Sequence, residues 1–137
     1  MAMRLAPSVS PDTEFFWNGL RDRKLLIQRC TGCQTLRQPA RPMCPSCNSL
    51  DWDTVEASGR GTVYSYVMPQ HPPMPLMEYP YIVALIELEE GIRLVSNVVE
   101  VSPAAVRAGL AVEVCFAPTR GGRAVPVFRP REGTPSA

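Results

Sequence analysis

Histidine and lysine are almost absent from this sequence of 137 residues, which has one member of each type, His71 and Lys24. A single histidine leaves little material for the triads and acid–base pairs of most hydrolytic sites. No G-x-S-x-G nucleophile motif occurs. Cys115 lies between Val114 and Phe116 in a strand-like pattern, where a plain structural cysteine is expected. The sequence therefore predicts no catalytic residues and a chain that is not an enzyme by itself.

An excess of one charge sign and long apolar runs are also missing. The chain has 14 basic and 13 acidic residues, a formal net charge of +1, so it lacks the basic excess that neutralises nucleic-acid phosphates. No apolar run approaches the ~18–20 residues that span a bilayer, and the N-terminus lacks the apolar stretch of a signal peptide. These absences predict a cytoplasmic protein without nucleic-acid or membrane partners.

Four of the five cysteines form two C-x-x-C pairs. Cys30 and Cys33 make the first pair, and Cys44 and Cys47 make the second, after a link formed by residues 34–43. Two such turns that face each other complete a tetrahedron of sulfur ligands about 2.3 Å from a metal ion. The pattern predicts one metal site per chain, with Cys30, Cys33, Cys44 and Cys47 as its ligands.

The ligand type favours zinc, although an iron site of the rubredoxin kind uses the same four cysteines and remains an alternative. A disulfide pair would need an oxidising compartment, and a thioredoxin-type motif needs only one C-x-x-C. Four thiolates close the coordination shell, so no position is left for water or substrate. The metal is therefore expected to be structural.

The residues around the knuckles carry two further expectations. Gly32 is expected to supply a positive φ in the first turn. Arg29, Arg37 and Arg41 flank the knuckles. Their charges could offset the site, which with four thiolates and a divalent metal brings the net charge of the chain to about −1. Solvated surface arginines are the alternative.

A helix is predicted near the N-terminus. Ser10 or Asp12 is expected to cap it, and it should extend to about Leu20. Phe16 and Leu20 lie four residues apart, and Trp17 extends the apolar stripe. The pattern leaves open whether this stripe packs on the same chain or on a partner.

The remainder of the chain has a β texture. Short strands at 25–28 and 50–52 enter and leave the knuckles, and the later strands are predicted at 61–68, 81–88, 92–101, 111–117 and 124–128. Pro126 is expected to confine the last strand to an edge. A helix at 102–109, between the third and fourth of these five strands, gives the order of an OB-fold barrel. The predicted fold is mainly β, an N-terminal helix and zinc ribbon followed by a five-stranded OB-fold barrel with one short helix.

Two segments suggest contacts beyond the barrel. The strand at 81–88 is apolar on both faces, so something should cover its outer side. The loop at 69–80 is rich in proline and methionine, which suits a rigid, adaptable contact with a ligand or a subunit, or simply a rigid surface loop. Arg60, Arg93 and Arg107 are candidates for phosphate contact by chemistry alone.

The motifs together resemble the OB-fold acyl-CoA-associated zinc-finger family, in which a rubredoxin-like zinc ribbon precedes an OB-fold. The segments that carry this resemblance are FWNGL at 16–20, LLIQRCTGC at 25–33, PMCPSC at 42–47, SGRGTVYSY at 58–66 and PYIVALIEL at 80–88. The resulting division is a tail and helix at 1–24, the ribbon at 25–57, the OB-fold at 58–130 and a tail at 131–137.

The resemblance implies an accessory subunit that binds or positions acyl-CoA thioesters and stabilises a thiolase-like partner. The partner would be a retro-aldol lyase, an acyl transferase or a hydratase, with steroid side chains or fatty acids as the material degraded. The residues that contact CoA do not follow from it and stay unknown. The alternative function is a module for single-stranded nucleic acid, with Tyr64 and Tyr66 on one strand as stacking platforms.

Overall fold

The computed structural model describes residues 7–69, 81–120 and 123–131. These residues form one α-helix, one 3-10 turn and eight β-strands. In chain order they are α1 (Glu14–Arg21), β1 (Leu26–Cys30), β2 (Leu36–Arg37), β3 (Trp52–Glu56), β4 (Arg60–Val67), β5 (Ile82–Leu88), β6 (Arg93–Val98), the 3-10 turn (Pro103–Ala105), β7 (Ala111–Pro118) and β8 (Ala124–Pro130). The predicted fold class is confirmed. None of the helices in the described ranges has the length and apolar character needed to cross a membrane.

Helix α1 starts slightly later than the sequence pattern indicated. Thr13, and neither Ser10 nor Asp12, occupies the N-cap position, and its side chain makes no capping hydrogen bond. Instead the Ser10 amide donates to the Thr13 hydroxyl at 3.2 Å. The helix contacts β1 and β8 and buries Phe16 and Leu20. Its apolar stripe therefore packs largely on its own chain.

The ribbon is a three-stranded antiparallel sheet in the order β2-β1-β3. Strand β1 pairs along its full length with β3, from Leu26 opposite Glu56 to Cys30 opposite Trp52. Strand β2 is only two residues long and pairs Arg37 with Gln28. The first metal-ligand candidate, Cys30, is thus fixed at the end of a central strand.

The five later strands close into a barrel in the order β4-β5-β6-β8-β7, with β7 pairing back to β4. The five-stranded barrel that the sequence predicted is therefore confirmed. The segment between β6 and β7 forms only the 3-10 turn at Pro103–Ala105 rather than the predicted helix over 102–109. Gly109 has a φ of +90°, and its amide donates to the carbonyl of Val63.

The prediction that Pro126 makes the last strand an edge is wrong for the strand as a whole, because β8 lies between β6 and β7. Among the described residues, however, β6 and β8 share one aligned pair, Val98 opposite Phe128, in parallel orientation. Pro126 precedes this pair, where β8 is matched only with β7. The missing N–H of the proline is tolerated there for that reason. We call this narrow β6–β8 junction the seam.

One hydrophobic core joins the helix, the ribbon and the barrel. Its buried members include Phe16 and Leu20 from α1 and Ile27 from β1, and they cluster with Val63, Ile86, Val112 and Phe128 of the barrel. Ile27 and Phe128 are completely buried. Since the apolar residues of the two modules form one cluster, the ribbon stabilises the barrel and the barrel stabilises the ribbon.

The β4–β5 pairing depends on the absence of a side chain at Gly61. A Cβ atom at this position would lie 2.4 Å from the backbone oxygen of Glu87, on the neighbouring strand. Backbone atoms in a closed barrel cannot move away cheaply. We expect Gly61→Ala to lower the free energy of unfolding by about 2 kcal/mol, as overpacking generally does, measured by urea denaturation.

Gly32→Ala is the matched control for this substitution. Its added Cβ would meet the sulfurs of Cys30 and Cys47 at 3.6 Å, an ordinary contact distance. We expect the stability of this variant to stay within ~0.5 kcal/mol of wild type. Equal effects of the two substitutions would mean that the close approach of β5 to Gly61 is not what limits this position.

Candidate metal centre

Four cysteine side chains converge at the tip of the ribbon. Cys30 ends β1, Cys33 follows in the next turn, and Cys44 and Cys47 belong to the second turn. Cys30 and Cys44 are fully buried, whereas Cys33 and Cys47 face the exterior. The sulfurs therefore meet with two on the inner side and two on the outer side of the tip.

The spacing of the sulfurs suits one tetrahedral metal ion. The Sγ atoms of Cys30 and Cys47 lie 3.5 Å apart, and those of Cys33 and Cys44 lie 3.6 Å apart. All four lie within 4.8 Å of one another. A tetrahedron with metal–sulfur distances of about 2.3 Å has sulfur–sulfur edges of about 3.8 Å. The donor set fits a single thiolate-loving ion without rearrangement.

Each knuckle closes with the same backbone device. The amide of Gln34 donates to the carbonyl of Cys30 at 2.8 Å, and the amide of Asn48 donates to the carbonyl of Cys44 at 2.9 Å. Gln34 and Asn48 have φ values of 66° and 63°. The expected positive φ at Gly32 is therefore wrong, because the left-handed residue is the one that follows each C-x-x-C.

The surroundings favour thiolates at several of these positions. Hydrogen bonds from backbone amides, chiefly that of Cys33, lower the pKa of Cys30. Hydrogen bonds from the backbone amides of Cys47 and Ser46 likewise lower the pKa of Cys44. The Ser49 amide acts to lower the pKa of Cys47, but the adjacent sulfurs and burial raise it to about 12. Four sulfurs this close share protons, and a cation that binds to the sulfurs displaces those protons.

The arginines that flank the knuckles have three different environments. Arg29 forms a bidentate ion pair with Asp53, with nitrogen–oxygen distances of 2.8 and 2.6 Å, and this pairing lowers the pKa of Asp53. Arg41 is exposed. Arg37 is buried and donates from Nε to the carbonyl oxygen of Arg41 at 3.0 Å. Arg29 is thus matched by a carboxylate rather than by the sulfurs.

The segment between the knuckles is anchored to the ribbon sheet. The side-chain oxygen of Gln28, a residue of β1 that is 1% exposed, accepts a hydrogen bond from the amide of Arg41 at 2.9 Å. Together with the bond from Arg37, this contact fixes residues 38–41 beside the barrel. Sequence patterns gave no signal for it, since a buried glutamine in a strand looks like any polar strand residue.

The other candidates lie apart from the metal centre. Cys115 stands in β7 opposite Val127, and burial raises the pKa of its thiol. His71 and most of the loop predicted at 69–80 lie outside the described residues. Arg60 is exposed and pairs with Glu89 at 2.9 Å. No described side chain forms a hydrogen bond with the thiol of Cys115, and Arg60 shares its carboxylate partner with Arg131, whose Nη1 lies 3.8 Å from the Glu89 carboxylate.

The two tyrosines considered for stacking are exposed on β4. Tyr64 and Tyr66 are 51% and 39% exposed. The guanidinium of Arg93 lies 3.7 Å from the centre of the Tyr64 ring and already covers one of its faces. A base could stack on Tyr66 and on one side of Tyr64 only, so the arrangement does not favour the nucleic-acid alternative.

Comparison with known proteins places both modules in one family. Residues 17–53 match the rubredoxin-like zinc ribbon domain of ChsH2, and residues 54–117 match the C-terminal OB-fold domain of ChsH2. A solved structure titled Ltp2-ChsH2(DUF35) aldolase is similar to this chain with a TM-score of 0.87 and 47% sequence identity. The match covers 91% of this chain and 98% of that chain.

Two curated relatives are longer than this chain. A probable enoyl-CoA hydratase alpha subunit of Thermomonospora curvata is 47% identical over 94% of this chain and 40% of its own length. The 3-oxo-4,17-pregnadiene-20-carboxyl-CoA hydratase alpha subunit of Mycobacterium tuberculosis is 38% identical over 82% of this chain. The chain spans about 36% of the length of that second relative. With a cysteine-rich ribbon, a closed five-stranded barrel and these matches, the chain belongs to the ChsH2 (DUF35) family of zinc-ribbon and OB-fold proteins.

Proposed function

We propose that this chain is a non-catalytic accessory subunit that binds or positions acyl-CoA thioesters and stabilises a thiolase-like partner enzyme. The partner would be a retro-aldol lyase or an acyl transferase. The observation that carries this proposal is the similarity to the Ltp2-ChsH2(DUF35) aldolase over nearly the whole of both chains. The name of the Mycobacterium tuberculosis relative supports a steroid-derived acyl-CoA as the substrate class.

The metal in this proposal is one structural zinc ion held by Cys30, Cys33, Cys44 and Cys47. Thiolate ligands suit zinc, and a closed shell of four protein ligands leaves it no site for substrate. Its role is to hold the ribbon tip and the segment behind it. No step of a reaction depends on it.

Two features of the described residues support a role as a subunit. Large apolar side chains are exposed along β4, where Tyr64 is 51%, Tyr66 is 39% and Val67 is 60% exposed. Surfaces of this kind commonly mark protein interfaces. In contrast, the raised pKa of Cys115 keeps its sulfur in the thiol form, which is a poor nucleophile.

Co-expression with a thiolase-like candidate partner from the same organism tests the proposal. We expect the two proteins to co-purify, and we expect cleavage of an acyl-CoA substrate only when both are present. Tyr66→Asp should weaken the complex about tenfold or more, because it places an unpaired charge in the interface. Thr62→Asp, at an exposed position of the same strand, is the matched control and should bind the partner normally.

Two results would contradict this function. Full turnover of an acyl-CoA by the isolated chain would show that it is an enzyme in its own right. A partner that is equally soluble and active without the chain would show that the chain is not its accessory subunit.

A further inference from the structure

A cleft runs between helix α1, the segment at 38–40 and the outer side of the barrel. Its floor is made by β5, β6 and β8, and it encloses a volume of about 790 Å³, within the range of small-molecule sites. Apolar side chains dominate it, including Phe16, Trp17, Leu85, Val95, Val125 and Val127. We call this part the trough. Leu85, a half-buried residue on the outer face of β5, lines the trough.

The trough continues into a second, smaller cavity of about 430 Å³. Both cavities are lined by Gln38, Pro39 and Arg93, so they share a border. The smaller cavity also has Arg37 and Arg41 in its wall, and none of its described lining residues is acidic. We call it the cationic end. The combined cleft is therefore apolar along most of its length and positively charged at one end.

Arg37 is the unusual residue of the cationic end. It is 5% exposed, and only its Nε has a hydrogen-bond partner. Both terminal guanidinium nitrogens are buried and have no partner among the described residues. A buried charge with unmet donors is strongly unfavourable, and native proteins normally satisfy such groups. These donors call for an anionic acceptor.

No described carboxylate or sulfur forms a hydrogen bond with the terminal nitrogens of Arg37. The carboxylate of Glu87 is 3.0 Å from Arg93, so it is already engaged with another guanidinium. The cysteine sulfurs are negative when they bind a metal, but no sulfur lies within hydrogen-bonding distance of the Arg37 terminal nitrogens. An attraction to the metal centre at longer range would lower the cost of the charge and still leave the N–H groups unpaired.

A second unmet donor belongs to a residue that lines the trough. The indole Nε1 of Trp17 is buried and also lacks a partner. Trp17 lines the trough beside Phe16. A ligand that fills the trough could therefore present one polar oxygen along an otherwise apolar body, in addition to the charged group at its end.

We propose that this cleft binds an amphiphilic anion, with its apolar body in the trough and its phosphate or carboxylate group against Arg37 and Arg41. A guanidinium offers paired N–H groups that match the oxygens of either anion. The acyl-CoA thioesters of the proposed function are one member of this class. The proposal goes beyond that function because the site is complete in the isolated chain and needs no partner enzyme.

Fluorescence of Trp17 provides the test. The chain has two tryptophans, Trp17 and Trp52, so a Trp52→Phe background reports from the cleft alone. The zinc-loaded full chain is titrated with dodecyl phosphate below its micelle-forming concentration, and with dodecanol and inorganic phosphate as the separate halves of the ligand. We expect dodecyl phosphate to bind about tenfold or more tightly than either half, because only it uses both parts of the cleft.

Substitutions then locate the site. Arg37→Gln and Arg41→Gln are expected to weaken dodecyl phosphate about 10- to 100-fold, as loss of hydrogen bonds to a charged group does. Val95→Asp, at a trough position that is 68% exposed, should weaken it similarly. Arg60→Gln is the matched control and should have no effect. If Arg37→Gln fails to fold, the exposed positions Arg41 and Val95 still decide the outcome.

Laurate and lauroyl-CoA identify the source of the anion. The proposal is supported if laurate, dodecyl phosphate or lauroyl-CoA binds and if its binding depends on the arginines. The probe that binds most tightly then shows whether the site prefers a carboxylate, a phosphate monoester or a nucleotide. Equal affinity for dodecanol and dodecyl phosphate would overturn the proposal, as would arginine substitutions without effect on any probe. If those substitutions instead abolished only partner co-purification, the cationic end would be a docking point for a partner carboxylate. The isolated chain is used throughout. Ligand binding can therefore fail while the accessory function is confirmed, and the accessory function can fail while ligand binding is confirmed.

Discussion

Cys30→Ser and Cys47→Ser are expected to lose the metal and with it the folded ribbon, whereas the wild-type chain should contain one zinc ion. The ribbon tip buries few side chains of its own. Of its four cysteine ligands, only Cys30 and Cys44 are buried. Structural zinc sites of small domains typically contribute about 10–16 kcal/mol of binding free energy that is also folding free energy. Removal of the ion should therefore cost more stability than any single apolar substitution.

Elemental analysis and thermal unfolding measure this effect. Cys115→Ala is the matched control, since Cys115 stands in β7 and outside the four-sulfur group. It should keep one zinc ion per chain. Because Ile27 of the ribbon belongs to the common core, chelation should also lower the unfolding temperature of the barrel. Iron in stoichiometric amount, or an unfolding transition unchanged after complete chelation, would contradict the assignment of the metal and its role.

Phe128→Ala is expected to reduce the free energy of unfolding by about 3–5 kcal/mol, the usual cost of removing a buried aromatic ring. Phe128 is completely buried. It stands in β8 opposite Val114 of β7 and opposite Val98 of β6. The cavity left by its ring would lie where three strands meet, so neighbouring side chains on all three would lose contacts at once.

Phe15→Ala serves as the comparison for this truncation. Phe15 is half-buried and rests against Trp52, with ring centres 4.9 Å apart. We expect a loss of about 1 kcal/mol, in proportion to its smaller buried apolar area. Urea denaturation of the zinc-loaded proteins compares the two. Similar losses for both would mean that Phe128 does not lie at the centre of the core.

Much of the architecture could be predicted from local patterns. The spacing of the cysteines determines the knuckles, because a C-x-x-C turn can only present its two sulfurs together. The continuous apolar run at 81–88 indicated β5 for the same local reason. Strand β3 was predicted too early, at 50–52. Its position is set by pairing with β1 across the ribbon, which no short window of sequence contains.

The cleft could not be predicted from the sequence. Arg37 resembles any surface arginine beside a metal knuckle, and only the fold of residues 38–41 back onto Gln28 brings it into a buried wall. Of the three arginines suggested for phosphate contact, only Arg93 lies along the cleft. Its place there follows from the pairing of β6 with β5. The positions of Arg37 and Arg93 in the cleft therefore depend on contacts between residues that are far apart in the sequence.

The seam between β6 and β8 gives the barrel a built-in point of local opening. One aligned pair, a hydrogen bond from the amide of Val99 to the carbonyl of Phe128 and one from the hydroxyl of Ser96 to the carbonyl of Pro126 join the two strands there. The β4–β5 ladder has more pairs, so the Val99 amide should exchange its hydrogen with solvent sooner than the amides of that ladder. Val95 and Val125, one from each strand, both face the trough. We expect a ligand that contacts both side chains to hold β6 and β8 together, so that local opening at the seam becomes rarer when the cleft is occupied.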